Sequence, residues 1–340
     1  MRIALFNDGL AHLERREALQ WCADRGVGSL ELGVGGWRQA QHVDLDLVLR
    51  EPSARRALVA DFEEFDISLG CVNAAGNALH PDPAIAARHT AAIHGAIELA
   101  DKLGVERVVT MSGCPGGPDG GRLPIFAPWA LNPDCEDLWR WQWEERVRPF
   151  WEELGRSVLA EHPRVQVCIE LHAGAAAYNP ASFRRLSAAA GGRLRLNFDP
   201  SHFWWMSIDP LAVLEELGDQ VGWMHGKDTL LREDPIRRDG ILDFRFGEDD
   251  DDVPWRFVSV GEGHGDEYWQ ELFDAVLRAG YDGPVSIEYE EPPPRIGRRI
   301  EAGVERSLTA LRRILGDGRP AVAAHSGAVA RVARTPGTIA

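Results

Sequence analysis

Eight short, mostly apolar runs recur along this chain, each separated from the next by a longer stretch with helical periodicity. They are Arg2–Phe6, Gly28–Leu32, Ile67–Asn73, Arg107–Ser112, Gln166–Leu171, Arg193–Phe198, Val221–His225 and Val285–Tyr289. Strands covered on both faces read as continuous apolar stretches, as in a parallel sheet wrapped by helices. The intervening segments carry apolar stripes. Trp269, Leu272, Phe273, Val276 and Leu277 share one face of Asp266–Arg278. Ile85, Ala92, Ile93, Ala96, Ile97 and Ala100 do the same in Pro83–Leu103. Asn179-Pro180 and Asp209-Pro210 each set a capping side chain before a proline at the first helical position.

Alternating β and α units fit a closed barrel or an open doubly wound sheet. No G-x-G-x-x-G follows the first run, because Phe6-Asn-Asp-Gly9 leads directly toward a helix. The count of eight favours a single (β/α)8 TIM barrel, expected over residues 1–316. Residues 317–340 lack periodicity and are expected to be a flexible tail. Two connections are long: Gly113–Pro133, rich in Gly and Pro, and Thr229–Gly265, which should contain a short hairpin. Long loops on a barrel usually serve as lids or binding loops.

The net charge of −16 opposes binding to a phosphate backbone, so nucleic acid is an unfavourable partner and a small molecule a better one. The acidic run at 248–252 reads as a solvated loop. Five cysteines without a C-x-x-C pair suggest neither disulfides nor a thiolate site, and fit a reducing cytoplasm. No run of 18 apolar residues marks a membrane span, and the N-terminus reads as a strand, not a signal peptide.

Barrel chemistry sits at the C-terminal ends of the strands. There the last four runs carry charge inside apolar strings: V-C-I-E170-L-H172, L-R-L-N-F-D199-P-S-H202, V-G-W-M-H225-G-K-D228 and P-V-S-I-E288-Y-E290. A lone buried carboxylate is explained equally well by a salt bridge. Four consecutive strands ending in Glu170, Asp199, His225 and Glu288 need neutralisation, protonation or a cation. Three carboxylates and an imidazole suit one divalent ion: Mn²⁺ first, with Mg²⁺, Co²⁺ or Zn²⁺ compatible. His172 lies on the same strand face as Glu170, and His202 follows Asp199 by three residues, so either could be a further ligand or a proton donor. The sequence also has 12 tryptophans, more than half of them expected in the core. Trp129 and Trp204, near loops, are candidates to pack on a substrate.

The strings I-E-L-H (169–172), N-F-D-P-S-H (197–202), M-H-G-K-D (224–228), V-G-E-G (260–263) and S-I-E-Y-E (286–290) resemble the xylose-isomerase-like barrel superfamily. Within it they are most similar to the sugar phosphate isomerase/epimerase branch, as are W-Q-W-E-E (141–145) and S-G-C-P-G-G (112–117). The resemblance runs to about residue 315. It implies that Glu170, Asp199, His225 and Glu288 are metal ligands, and that Glu170 and Glu288 exchange protons with opposite faces of a substrate. It implies sugar contacts for His202 and Arg256, with Glu262 near that arginine; Lys227 is a further substrate-binding candidate. The related abasic-site endonucleases use further metal-binding histidines on strands 3 and 4, where this chain has Asn73 and Ser112, so a three-metal nuclease centre is not expected.

Such a site acidifies the C–H beside a chelated carbonyl, and a carboxylate then removes the proton. Returning it elsewhere isomerises or epimerises a sugar or keto-sugar through an enediolate; losing a β-substituent is elimination. C-glycoside deglycosidase catalytic subunits of this branch eliminate an aglycone from 3-keto glycosides and pair with a small subunit, which makes a lyase the alternative. A barrel that binds metal or sugar without catalysis is a third reading. A homo-oligomer or a small partner subunit is left open. Gly116–Gly121 lacks the G-K-[ST] ending of a phosphate loop and is expected to be a mobile lid segment.

Overall fold

The computed structural model describes residues 1–37, 40–128, 132–242, 252–290 and 298–316. Trp129, most of the acidic run and the tail 317–340 lie outside the described residues.

All eight expected strands form, within two residues of their sequence-predicted bounds at either end. They are β1 (Ile3–Phe6), β2 (Ser29–Gly33), β3 (Ser68–Asn73), β4 (Arg107–Met111), β5 (Gln166–Glu170), β6 (Leu194–Phe198), β7 (Val221–Gly226) and, after two shorter strands, β10 (Val285–Ile287). They pair in parallel and close β1 onto β10, giving the (β/α)8 barrel. The two extra strands, β8 (Asp228–Leu231) and β9 (Trp255–Val258), pair antiparallel in the connection after β7; the short hairpin expected there is a ribbon whose strands are 23 residues apart in the chain (232–254). The helix Glu233–Asp239 is part of that connection.

The helical stripes pack as their periodicity requires, with one correction. Trp269, Leu272, Phe273 and Val276 are buried, but Leu277 is 44% exposed, at the edge of the stripe where the helix turns to solvent. Both proline starts are capped: Asn179 accepts from the Ser182 N–H and Asp209 from the Leu211 N–H.

Inward-pointing residues alternate along the strands, so the barrel interior is layered. Its floor is an apolar cluster of Ala4, Cys71, Val109, Cys168 and Trp223. Small residues on four strands leave room for one indole. A Cβ on Gly70 would come within 2.5 Å of Ser29 Oγ and 3.0 Å of the Trp223 ring, so the close approach requires glycine there. Two residues further along β3, β5 and β7 the interior becomes polar, with Asn73, Glu170 and His225. The register shifts at Leu30/Glu31 and at Leu196/Asn197 of the β6–β7 pair fall beside this polar layer. Such irregularities re-aim side chains beside barrel sites.

Candidate metal centre

Glu170, Asp199, His225 and Glu288 each offer one ligand atom to a cluster whose atoms all lie within 4.8 Å of one another. Glu170 ends β5; Asp199 directly follows β6; His225 is in β7; Glu288 directly follows β10. Asp199 has two tasks. Its Oδ1 caps the helix Pro200–Trp205 by accepting from the Ser201 N–H at 2.9 Å. Its buried Oδ2 accepts no hydrogen bond and faces His202 Nε2 at 3.2 Å and His225 Nδ1 at 3.7 Å.

His225 is oriented from both ends. Nδ1 lies 3.1 Å from Glu288, 3.4 Å from Glu170 and 3.7 Å from Asp199. Nε2 points the other way, to Glu31 on β2 at 3.1 Å. An orphaned carboxylate oxygen, hard oxygen donors and an imidazole nitrogen converging on one point fit a divalent cation.

Cationic groups of the chain surround these carboxylates. Lys227 is 2% exposed, with Nζ 3.1 Å from Glu288, 2.6 Å from Glu290 and 3.8 Å from Asp199, under the Phe257 ring. Burial disfavours its charge, but Glu288, Glu290 and Asp199 together raise its pKa above the ordinary lysine value. Burial also opposes a charged His202, yet Asp199 and Glu170 push it up to about 9. His225 is raised in the same way by Glu31 and Glu288. Burial would raise Glu170 and Asp199, but the histidines, with Lys227 beside Asp199, hold both well below the usual carboxylate range. For Glu288 burial wins over Lys227 and His225, and its pKa is raised.

His172 and His202 do reach this region, with ring centroids 4.2 Å apart, and His202 Nε2 lies 3.2 Å from Glu170. Burial and the neighbouring His202 lower His172 to about 4. Arg256 lies on β9, in the ribbon next to the Phe257 that covers Lys227. Glu262 bonds Arg306 of the last helix at 2.7 Å and the Ser259 N–H at 3.2 Å. The V-G-E-G string turns out to be held by Asp228. Its Oδ2 accepts from the N–H groups of Gly261, Gly263 and His264 and from the Trp269 indole.

One expectation needs correcting. Trp204 is 7% exposed, stacked on His264 at 3.9 Å and edge-on to Trp269, so it packs within the protein and presents no open ring to the loop side. The residues on either side of the glycine-rich segment are held by side chains. Asn77 bonds both backbone groups of Cys114. Gln142 Nε2, in a π-helical turn, donates to the carbonyls of Pro115, Gly116 and Ile125. Among the described residues, seven tryptophans (21, 143, 151, 204, 223, 255 and 269) are buried, in line with a mostly structural role.

Sequence reasoning missed Glu31, which is fully buried in β2. Its only signal was one acid inside the apolar string S-L-E-L-G.

The model of the xylose isomerase-like TIM barrel family matches residues 19–314. The chain belongs to this family. An uncharacterized Bacillus subtilis protein, YfiH, is 32% identical over 318 residues, covering 93% of this chain and 99% of YfiH. Among solved structures, the probable 3-DHS dehydratase AsbF of Bacillus anthracis superposes with a TM-score of 0.60 at 16% identity, covering 92% of this chain and 98% of AsbF. A D-psicose 3-epimerase, solved in the presence of D-fructose, gives 0.57 at 14% identity over 93% of this chain and 100% of its own. At those identities the likeness is one of fold. Among the described residues, no helix is long and apolar enough to cross a membrane.

Proposed function

We propose that this protein is a divalent-metal-dependent isomerase or epimerase of a sugar or keto-sugar. The observation that carries the reading is the convergence of Glu170, Asp199, His225 and Glu288 at the mouth of the barrel. These four residues would hold the ion, with Mn²⁺ the first candidate. When bound, it would polarise a substrate carbonyl and acidify the adjacent C–H.

The chain's own residues do the remaining work. Glu170 and Glu288 come from strands separated by β6 and β7 in the barrel order, so they approach a substrate from different sides. Glu170, an anionic carboxylate fixed by His202 and His225, is placed to accept a proton. Glu288, from the other strand, is placed to return one. Lys227 supplies a buried positive charge beside Glu288. His202 bonds Glu170 and is placed to contact a sugar oxygen.

Elimination is the second reading. His202, packed on His172 and 3.2 Å from Glu170, could give a proton to a leaving oxygen. The dehydratase among the structural neighbours is compatible with that chemistry. A 3-keto glycoside losing its aglycone is the form of elimination that the site strings imply. The test is NMR of the Mn²⁺-loaded protein with ketoses and 3-keto glucosides in D₂O. Deuterium beside the carbonyl with recovery of an isomeric sugar supports the epimerase reading. Release of aglycone or water supports the lyase. Bound metal without exchange in any substrate would overturn both in favour of a binding barrel.

A further inference from the structure

The carboxylate of Glu31 lies beneath the metal-ligand cluster, outside it, and accepts from four side chains on three strands. Oε1 accepts from Asn73 Nδ2 at 2.7 Å. Oε2 accepts from Trp223 Nε1 at 2.7 Å and Ser286 Oγ at 2.7 Å. His225 Nε2 lies 3.2 Å from one oxygen and 3.1 Å from the other. An ionised carboxylate accepts and never donates, so Nε2 must carry a hydrogen. That leaves Nδ1, on the opposite side of the ring, as the nitrogen with the lone pair whenever the ring is neutral.

We infer that Glu31 is the positioning residue of the metal centre: by taking the Nε2–H of His225 it fixes the tautomer that presents Nδ1 to Glu170, Asp199 and Glu288. This rests on the metal reading above. Three features support it. Glu31 is itself immobilised, because the Trp223 indole fills the barrel interior and Asn73 and Ser286 hold it from either side. The register shift at Leu30/Glu31 lies at this residue, where the strand is re-aimed. Phe6 stacks parallel to the His225 ring at 6.4 Å and 11°, so rotation of the imidazole is opposed on its face as well as at its edge. A carboxylate behind a ligating histidine typically contributes 10- to 100-fold in metal affinity.

The experiment uses the full chain, stripped of metal and titrated with Mn²⁺ and Co²⁺. Affinity is read by competition with a chromogenic chelator, and ligand geometry by the Co²⁺ d–d absorption. Glu31→Gln keeps the shape but weakens the acceptor, and is expected to bind about 10- to 100-fold more weakly with an altered Co²⁺ spectrum. Asp228→Asn alters an equally buried carboxylate whose donors are loop and helix groups, and should lower the melting temperature without moving either readout. Ser286→Ala removes one donor to Glu31 and should shift affinity in the same direction, more weakly. A folded Glu31→Gln with wild-type affinity and spectrum overturns the inference. If that variant does not fold, unchanged affinity in Ser286→Ala overturns it instead. Failure of the wild-type chain to bind either ion overturns the metal reading itself.

Discussion

Replacing Lys227 with methionine should move two quantities in opposite directions. The ammonium is 2% exposed and lies 3.1 Å from Glu288 and 2.6 Å from Glu290. Removing one partner of a buried ion pair leaves uncompensated charge and costs about 3–5 kcal/mol. Unfolding entropy is about 2.1 cal/mol/K per residue, so a 340-residue chain loses about 1.4 °C of melting temperature per kcal/mol. In EDTA, Lys227→Met should therefore melt about 4–7 °C below wild type. Metal affinity should rise. A cation at an ordinary oxygen distance of about 2.1 Å from Glu288 lies within about 5 Å of Nζ. At an effective dielectric of about 20, the repulsion between a divalent ion and the ammonium is about 6 kcal/mol, or more than about four orders of magnitude in Kd. Calorimetry in EDTA and in saturating Mn²⁺, with chelator competition for Kd, measures both. The variant should be unstable without metal and recover most of its deficit with it. An unchanged melting temperature in EDTA, or weaker metal binding, would refute the placement of Lys227 as the cation that balances these carboxylates.

Other consequences are open to direct measurement. Glu288→Gln should abolish solvent deuterium exchange by 10²-fold or more, at the scale of a lost general acid–base group, and full activity would sink the proton-transfer role. In the metal-free protein, His202 titrates near 9 against an unfolded value of 6.5. Its contribution is complete below pH 6.5 and lost as pH rises through about 9. Glu170 and Asp199 have lowered values, so their contribution is present above the ordinary 4.5 and 3.8 and disappears as pH falls further. Urea midpoints in EDTA should thus be highest between about pH 4.5 and 6.5 if the site dominates, and His202→Asn should flatten the alkaline decline. Trp204→Ala should cost about 3–5 kcal/mol, as a core truncation does, with KM unchanged in the folded fraction; a selective rise in KM would return Trp204 to the substrate site.

How far the sequence reached differs from residue to residue. The barrel was legible because strand and helix periods are local properties, and eight alternating units leave few ways to bury every apolar face. Glu170, Asp199, His225 and Glu288 were legible for a related reason: each is a charged group at the C-terminal end of an apolar strand, and four in succession stand out. Glu31 was hidden because one acid inside S-L-E-L-G carries no sign of its partners, which lie 42, 192, 194 and 255 residues away in the chain. Trp204 misled because a tryptophan beside a loop looks the same whether it faces solvent or His264 and Trp269. The V-G-E-G string carried a resemblance, but only the folded chain places its N–H groups on Asp228. Period and local composition decide which face of a strand or helix is buried. Which polar groups then meet inside the closed barrel depends on strand register and on contacts between residues hundreds of positions apart, and that is decided only when the barrel closes.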